Sequence, residues 1–120
     1  MTTATELPMR QQVVDRVKGC CNDVAPPLTD ARADQLAAIY KALGDPTRIQ
    51  MLHILAAATA PVCVCDFTAA FDLGQPTISH HLAKLRDAGI VTSFKRGIWA
   101  FYRLDPDMPT AARAAIDLVG

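Results

Sequence analysis

The chain carries four cysteines in two tight pairs, Cys20-Cys21 and Cys63-Val64-Cys65. Thiolates are soft donors. They favour zinc, cadmium, lead, copper(I) or trivalent arsenic over hard cations. Pairs this close are a poor layout for disulfide staples and a good one for holding a soft ligand. Cys63 and Cys65 follow Pro61 at the point where a helix is expected to begin. Residues two apart in mid-helix point to opposite sides. At a helix start the backbone is less regular, and the terminus favours negative charge and so thiolate. Gly19-Cys20-Cys21-Asn22 reads as a break in the chain, from which the first pair could fold over a site elsewhere. The competing reading makes Cys63 or Cys65 a small buried hydrophobe. It suits one of those two better than Cys20-Cys21, which has little nearby to pack against.

A second set of residues suits nucleic acid. Gln75, Thr77, Ser79, His80 and Lys84 lie opposite Ile78, Leu82 and Leu85 on a segment expected to be helical from Gln75 to about Ala88. Gln and Ser suit base edges, whereas Lys and a helix N-terminus suit phosphates. Lys95 and Arg96 follow in a turn, placed to reach phosphate or the minor groove. The competing reading is an ordinary polar helix face. His81 lies three residues from Ile78 and four from Leu85, so it is expected to pack on the core. His53, beside Leu52, is expected to be structural rather than a ligand.

The elements that would position these groups can be read along the chain. Met1 to about Met9 reads as a tail, and Gln11 to Lys18 as a short helix or a loose segment. Pro26-Pro27 imposes an extended stretch. Thr29 is a fair N-cap for a helix in which Leu36, Ile39, Tyr40 and Leu43 recur at amphipathic spacing, closed by Gly44. Asp45-Pro46 restarts a helix to about Ala58, with Ile49, Leu52 and Ala56 on one face. Val64 to Phe71, the turn Asp72-Leu73-Gly74 and the helix from Gln75 form a helix-turn-helix pattern. After Gly89 the period shifts to two. Ile90 to Phe94 reads as a strand, Lys95-Arg96-Gly97 as its turn and Ile98 to Leu104 as the return strand. A hairpin directly after such a helix is a wing. A last helix is expected from about Thr110 to Val119.

Composition sets the outer limits. A chain of 120 residues argues for one compact domain, small enough that a dimer partner would help its core. About half the residues are hydrophobic, which excludes general disorder. No apolar run is long enough to span a bilayer, and the N-terminus lacks the order of a signal peptide. A cytoplasmic location is therefore expected, where thiols stay reduced. Twelve basic and twelve acidic residues cancel. Between Gln75 and Arg103, however, Lys84, Arg86, Lys95, Arg96 and Arg103 stand against Asp87 alone, which makes a basic section on a neutral chain. The reading divides the chain into an arm, residues 1–28, and a domain, residues 29–120. The domain is mostly α with a β-hairpin wing.

Taken together, Lys41-Ala-Leu-Gly-Asp-Pro-Thr-Arg48, Val62-Cys-Val-Cys-Asp66, Gln75-Pro-Thr-Ile-Ser-His-His-Leu82 and Leu85-Arg-Asp-Ala-Gly-Ile-Val91 resemble the ArsR/SmtB family of winged helix-turn-helix metal-sensing repressors. The resemblance runs from about Thr29 to Leu104. It implies a homodimer joined through its first and last helices. It also implies a repressor that holds double-stranded operator DNA when empty and leaves it when loaded. Cys-Val-Cys-Asp resembles the sensing box of arsenite- and cadmium-responsive members. One branch has a further cysteine where this chain has Thr68. In other members an N-terminal cysteine pair completes the site, often across the dimer, and Cys20-Cys21 resembles that arrangement. The family's other metal site, built from His and acids on the last helix, is not expected, because Thr110 to Gly120 holds no His.

The leading expectation is a repressor released by arsenite, As(III), or antimony, Sb(III). The metalloid would be bound by Cys20, Cys21 and one of Cys63 and Cys65. The alternative uses Cys20, Cys21, Cys63 and Cys65 together around Cd(II), Pb(II) or Zn(II). A third reading has the thiols oxidise instead of binding. An enzyme such as an arsenate reductase would need an activated cysteine in an anion cradle. No Gly-rich loop lies near any of the four, so no catalytic residue is expected.

Overall fold

The computed structural model describes residues 23–119. The expected N-terminal tail, the Gln11–Lys18 segment and the Cys20-Cys21 pair lie outside the described residues. Asp23 to Leu28 is exposed and has no regular structure. Five helices and a small sheet follow: α1 (Asp30–Leu43), α2 (Pro46–Ala57), β1 (Val62–Cys63), α3 (Val64–Phe71), α4 (Gln75–Asp87), β2 (Val91–Arg96), β3 (Trp99–Leu104) and α5 (Thr110–Val119). This is the mostly helical winged helix-turn-helix expected from the sequence. Among the described residues no helix is long and apolar enough to cross a membrane.

Local chemistry explains most boundaries. Thr29 accepts the Arg32 N–H at 3.2 Å and starts α1. Asp45 Oδ1 accepts the N–H groups of Thr47 at 2.8 Å and Arg48 at 3.2 Å, with Pro46 in the first turn of α2. Asp72 ends α3 in the left-handed region at φ 53°, which a short acidic side chain tolerates. The end of α4 is a Schellman closure. The Ile90 N–H donates to the Leu85 carbonyl at 3.0 Å and the Gly89 N–H to the Arg86 carbonyl at 2.9 Å. Gly89 supplies the required positive φ, 77°. Leu85 and Ile90, which bracket that closure, are both fully buried.

The core lies between the helices and one face of the sheet. Phe67 of α3, Met51 and Leu52 of α2, Ile78, Leu82 and Leu85 of α4, and Ile90 and Val91 are fully buried. Side chains of this size typically contribute about 1.5–3 kcal/mol each when buried. The apolar stripe of α4 therefore holds it in place regardless of its polar face.

Several expectations change. Tyr40 is 58% exposed, whereas Ile39, Ala42 and Leu43 are buried. The covered face of α1 is thus narrower than its apolar spacing implies. On α2 the buried row is Met51, Leu52 and Leu55, and Ala56 is exposed near the helix end. Ile90 caps α4 rather than starting a strand. The wing turn is not Lys95-Arg96-Gly97. Arg96 pairs with Trp99, which leaves Gly97 and Ile98 as a two-residue loop. Gly97 has φ 63° at the first loop position, where a type II′ hairpin turn places glycine. The sheet also has a third strand, in the order β1-β3-β2. Val62 pairs with Tyr102 and Cys63 with Phe101, both antiparallel.

Candidate functional site

Cys63 stands where β1 ends and α3 begins. Its backbone is extended, φ -76° and ψ 149°, and it serves as the N-cap of α3. The Cys63 sulfur accepts the Cys65 N–H at 3.4 Å, and the Asp66 carboxylate accepts the Cys63 N–H at 3.0 Å. This is the reciprocal pattern of a capping box, with sulfur in the place usually held by a hydroxyl. Because Cys63 is outside the helical phase, the two side chains converge. The Cys65 thiol donates to Cys63 Sγ at 2.7 Å, and both cysteines are free.

The two thiols differ in exposure. Cys63 is buried at 5% exposure, and Cys65 is open to solvent. Helix-terminus electrostatics alone would favour thiolate, but the neighbours of Cys65 push its thiol above the ordinary range. The Cys63 sulfur is the largest cause, followed by partial loss of water and by the Asp66 carboxylate. The Thr68 hydroxyl, at the position where one branch of the resembled family has a cysteine, donates to the Cys65 carbonyl at 2.8 Å. Among the described residues no group of three or more His, Cys, Asp or Glu is arranged to hold a metal ion. Two convergent thiols suit a soft metal or metalloid, and any third thiolate has to come from outside these residues.

The pair opens on a groove of about 280 Å³. Cys63, Cys65, Thr68, Gln75, Ile98 and Trp99 line it, among others. It therefore joins the start of α3, the start of α4 and the tip of the wing. Sequence reasoning did not find this meeting point, because β1 is too short to show a period.

The expected DNA-facing residues form two rows on α4. Thr77, His80 and Lys84 are exposed at i, i+3, i+7 spacing. Gln75 and Ser79 form a flanking row, with Gln75 exposed at the cysteine groove and Ser79 half-buried. Gly74 gives α4 no side-chain cap, so its first N–H groups are open to an anion. Lys95 and Arg96 are exposed at the end of β2, beside the wing tip rather than on it.

Both expectations for histidine are refined. His53 is on the surface, with Nδ1 3.3 Å from the Val119 carbonyl oxygen. His81 is half-buried, but its Nδ1 meets Arg48 Nη1 at 3.2 Å. Arg48 is the functional candidate that the sequence reading missed. Its signal was a cation in the first turn of a helix, where the dipole disfavours positive charge.

Comparison with known proteins places these features in a family. Residues 45–93 match the model described as bacterial regulatory protein, arsR family. This span covers the α2 cap, the cysteine pair, both helices of the helix-turn-helix and the first residues of β2. The arsenical resistance operon repressor of Escherichia coli is 42% identical over 79 residues, which cover 66% of this chain and 67% of that protein. The chain belongs to the ArsR family. The arsenic resistance transcriptional regulator ArsR1 of Pseudomonas putida is 46% identical over 71 residues. That match covers 59% of this chain and 55% of the Pseudomonas protein, little more than half its length. Among solved structures, the homodimeric winged helix-turn-helix DNA-binding domain Mb0332 of Mycobacterium bovis aligns with a TM-score of 0.63 at 26% identity. The alignment covers 80% of this chain and 86% of that one. The Escherichia coli and Pseudomonas relatives are a repressor and a transcriptional regulator, not enzymes.

Proposed function

We propose that this ArsR-family chain is a homodimeric, cytoplasmic repressor that holds operator DNA when empty and lets go when trivalent arsenic or antimony engages its cysteines. The observation that carries this reading is the convergence of Cys63 and Cys65 in a groove shared with the start of α4 and the wing. The arsenic resistance names of the Escherichia coli and Pseudomonas relatives support the choice of inducer.

The ligand set proposed is Cys20, Cys21 and one of Cys63 and Cys65. Trivalent arsenic supplies three sulfur bonds when held this way. Everything else is done by the chain. Cys63 Sγ is both the candidate ligand and the cap of α3, so a ligand bound to it acts directly on the start of that helix. Its backbone is paired to β3, and α3 packs on α4. Strain at this junction therefore passes to the wing and to the DNA-facing helix. Gln75, Thr77, Ser79, His80 and Lys84 are assigned to the major groove, with Lys95 and Arg96 on flanking phosphate. Tyr40 on α1 and Leu118 on α5, at 58% and 90% exposure, suit the surface a second copy would cover. A coupling of about 1–3 kcal/mol is enough to change operator occupancy.

The test is release of a DNA duplex, selected by the protein from a random pool, on addition of arsenite, antimonite, cadmium, lead or zinc. Release by arsenite at three sulfurs per arsenic is expected. Release by cadmium or zinc and not by arsenite would replace this reading with the four-thiolate one. The 2.7 Å sulfur contact also favours a redox reading, in which peroxide takes two electrons from Cys63 and Cys65 to give a disulfide and two waters. Release by peroxide alone, reversed by a dithiol, would select it.

A further inference from the structure

One guanidinium ties three elements together beside α4. Arg48 lies in the first turn of α2, and its side chain is 14% exposed. Its Nε donates to the Ala42 carbonyl at 2.6 Å and its Nη2 to the Lys41 carbonyl at 3.3 Å, both at the end of α1. Nη1 lies 4.0 Å from Asp45 Oδ2 and 3.2 Å from His81 Nδ1 on α4. A guanidinium has donors only. A hydrogen bond here needs Nδ1 as the acceptor, which puts the ring proton on Nε2. A second proton, on Nδ1, would set two donors against each other.

The placement of His81 gives this bond leverage. His81 flanks the buried row of Ile78, Leu82 and Leu85 and directly follows the outward His80. An apolar stripe resists withdrawal of a helix and sets its rotation only coarsely, because the hydrophobic effect is non-directional. A directional hydrogen bond at the edge of the stripe fixes that rotation. We propose that Arg48 is a positioning residue for DNA reading, acting through His81 to set the rotation of α4 and so the aim of Thr77, His80 and Lys84. This inference rests on the reading that α4 enters DNA.

Asp45 and Arg48 face His81 from the start of α2, and His80 lies edge-on to it with ring centroids 6.2 Å apart. Lys41 of α1 and Lys84 and Asp87 of α4 border the same groove as Arg48.

The test uses the full chain and a duplex that the wild-type protein selects from a random pool, with a scrambled duplex as control. His81→Leu and Arg48→Met should each lose about tenfold affinity for the selected duplex and little for the scrambled one, because base contacts need aim more than phosphate contacts do. His81→Asn keeps an acceptor near the same place and should retain affinity for the selected duplex within about threefold. Nitrogen spectra of histidine-labelled protein should show the Nε2–H tautomer at His81 without DNA. If Arg48→Met fails to fold, the two His81 variants decide. Unchanged affinity in His81→Leu, a loss in His81→Asn as large as in His81→Leu, or an Nδ1–H tautomer would overturn the proposal. If the wild type enriches no duplex, the DNA reading falls and this inference falls with it. That result is distinct from selection that succeeds and is indifferent to His81.

Discussion

Two helices of this chain, α2 and α3, start from an extended residue whose side chain caps the first turn, but the chemistry of the two caps differs. At α2 the cap is a carboxylate, with Asp45 accepting two N–H groups at 2.8 and 3.2 Å. At α3 it is a sulfur, with Cys63 accepting one N–H at 3.4 Å. Oxygen is the stronger acceptor, and a charged one is stronger again. The α2 start is further pinned by Arg48 to the end of α1 and to His81. The α3 start carries a second thiol and opens on a groove. The first junction is built to hold. The second is built from groups that a soft ligand can take away. The proposed response would use both, the α3 junction shifting relative to an α2 junction that stays.

The largest effect expected from this contrast is a loss of response without a loss of fold. Cys63→Ser replaces the sulfur cap with a better oxygen cap and removes a thiolate. With Cys65→Ser alongside it, so that neither candidate third thiolate remains, arsenite-driven DNA release should disappear, and stability should stay within about 1 kcal/mol of wild type, measured by urea denaturation. Unfolding of this variant would show that the sulfur junction holds as firmly as the other one.

Next in size is Asp45→Ala, which should cost about 0.5–2 kcal/mol in the same assay. A cost near zero would remove the asymmetry between the junctions. A smaller effect follows from acid. Hydrogen bonds from the Arg48 and Thr47 backbone, together with the nearby guanidinium, hold the Asp45 carboxyl below its usual value, with the Arg48 N–H the largest cause. A carboxyl depressed in the folded state stabilises the fold above its unfolded pKa. That contribution is lost as pH falls through the folded value. Asp45→Asn should therefore flatten the acid limb of the stability–pH curve, and an unaltered limb would count against it.

The smallest effect is one of rate. Iodoacetamide should modify exposed Cys65 well before Cys63. Cys63→Ala, which removes the main cause of the raised Cys65 thiol, should speed that reaction a few-fold at neutral pH. Equal reactivity of the two thiols would mean that the junction opens freely and is not held by its cap.

Much of this architecture was legible from one strand of text because its causes are local. Asp45-Pro46 starts a helix through contacts within three residues, and Gly89 ends one by supplying a left-handed turn. Trp99 to Leu104 alternates because a pleated strand does. The exposed polar rows of α4 followed from the positions of Ile78, Leu82 and Leu85. The cysteine pair was legible as chemistry, and so was its place at a helix start. The turn of the wing was misread by one step, because Lys95 and Arg96 look like loop residues until their pairing with Ala100 and Trp99 is known.

By itself, the sequence determined where helices start and stop, which face of α4 is apolar, and which residues are soft donors. Those properties depend on neighbours within about one helical turn. Only the tertiary structure decided the rest. A two-residue strand such as Val62–Cys63 has no period to read and exists because Tyr102 and Phe101, almost forty positions later, offer their backbone to it. The Arg48–His81 bond spans thirty-three residues. Burial of Cys63 and exposure of Cys65 and Tyr40 depend on what the folded chain covers and what it leaves open. Pairings between distant parts of the chain leave no trace in local spacing, and they are what bring the thiols, the wing and the start of α4 to one place.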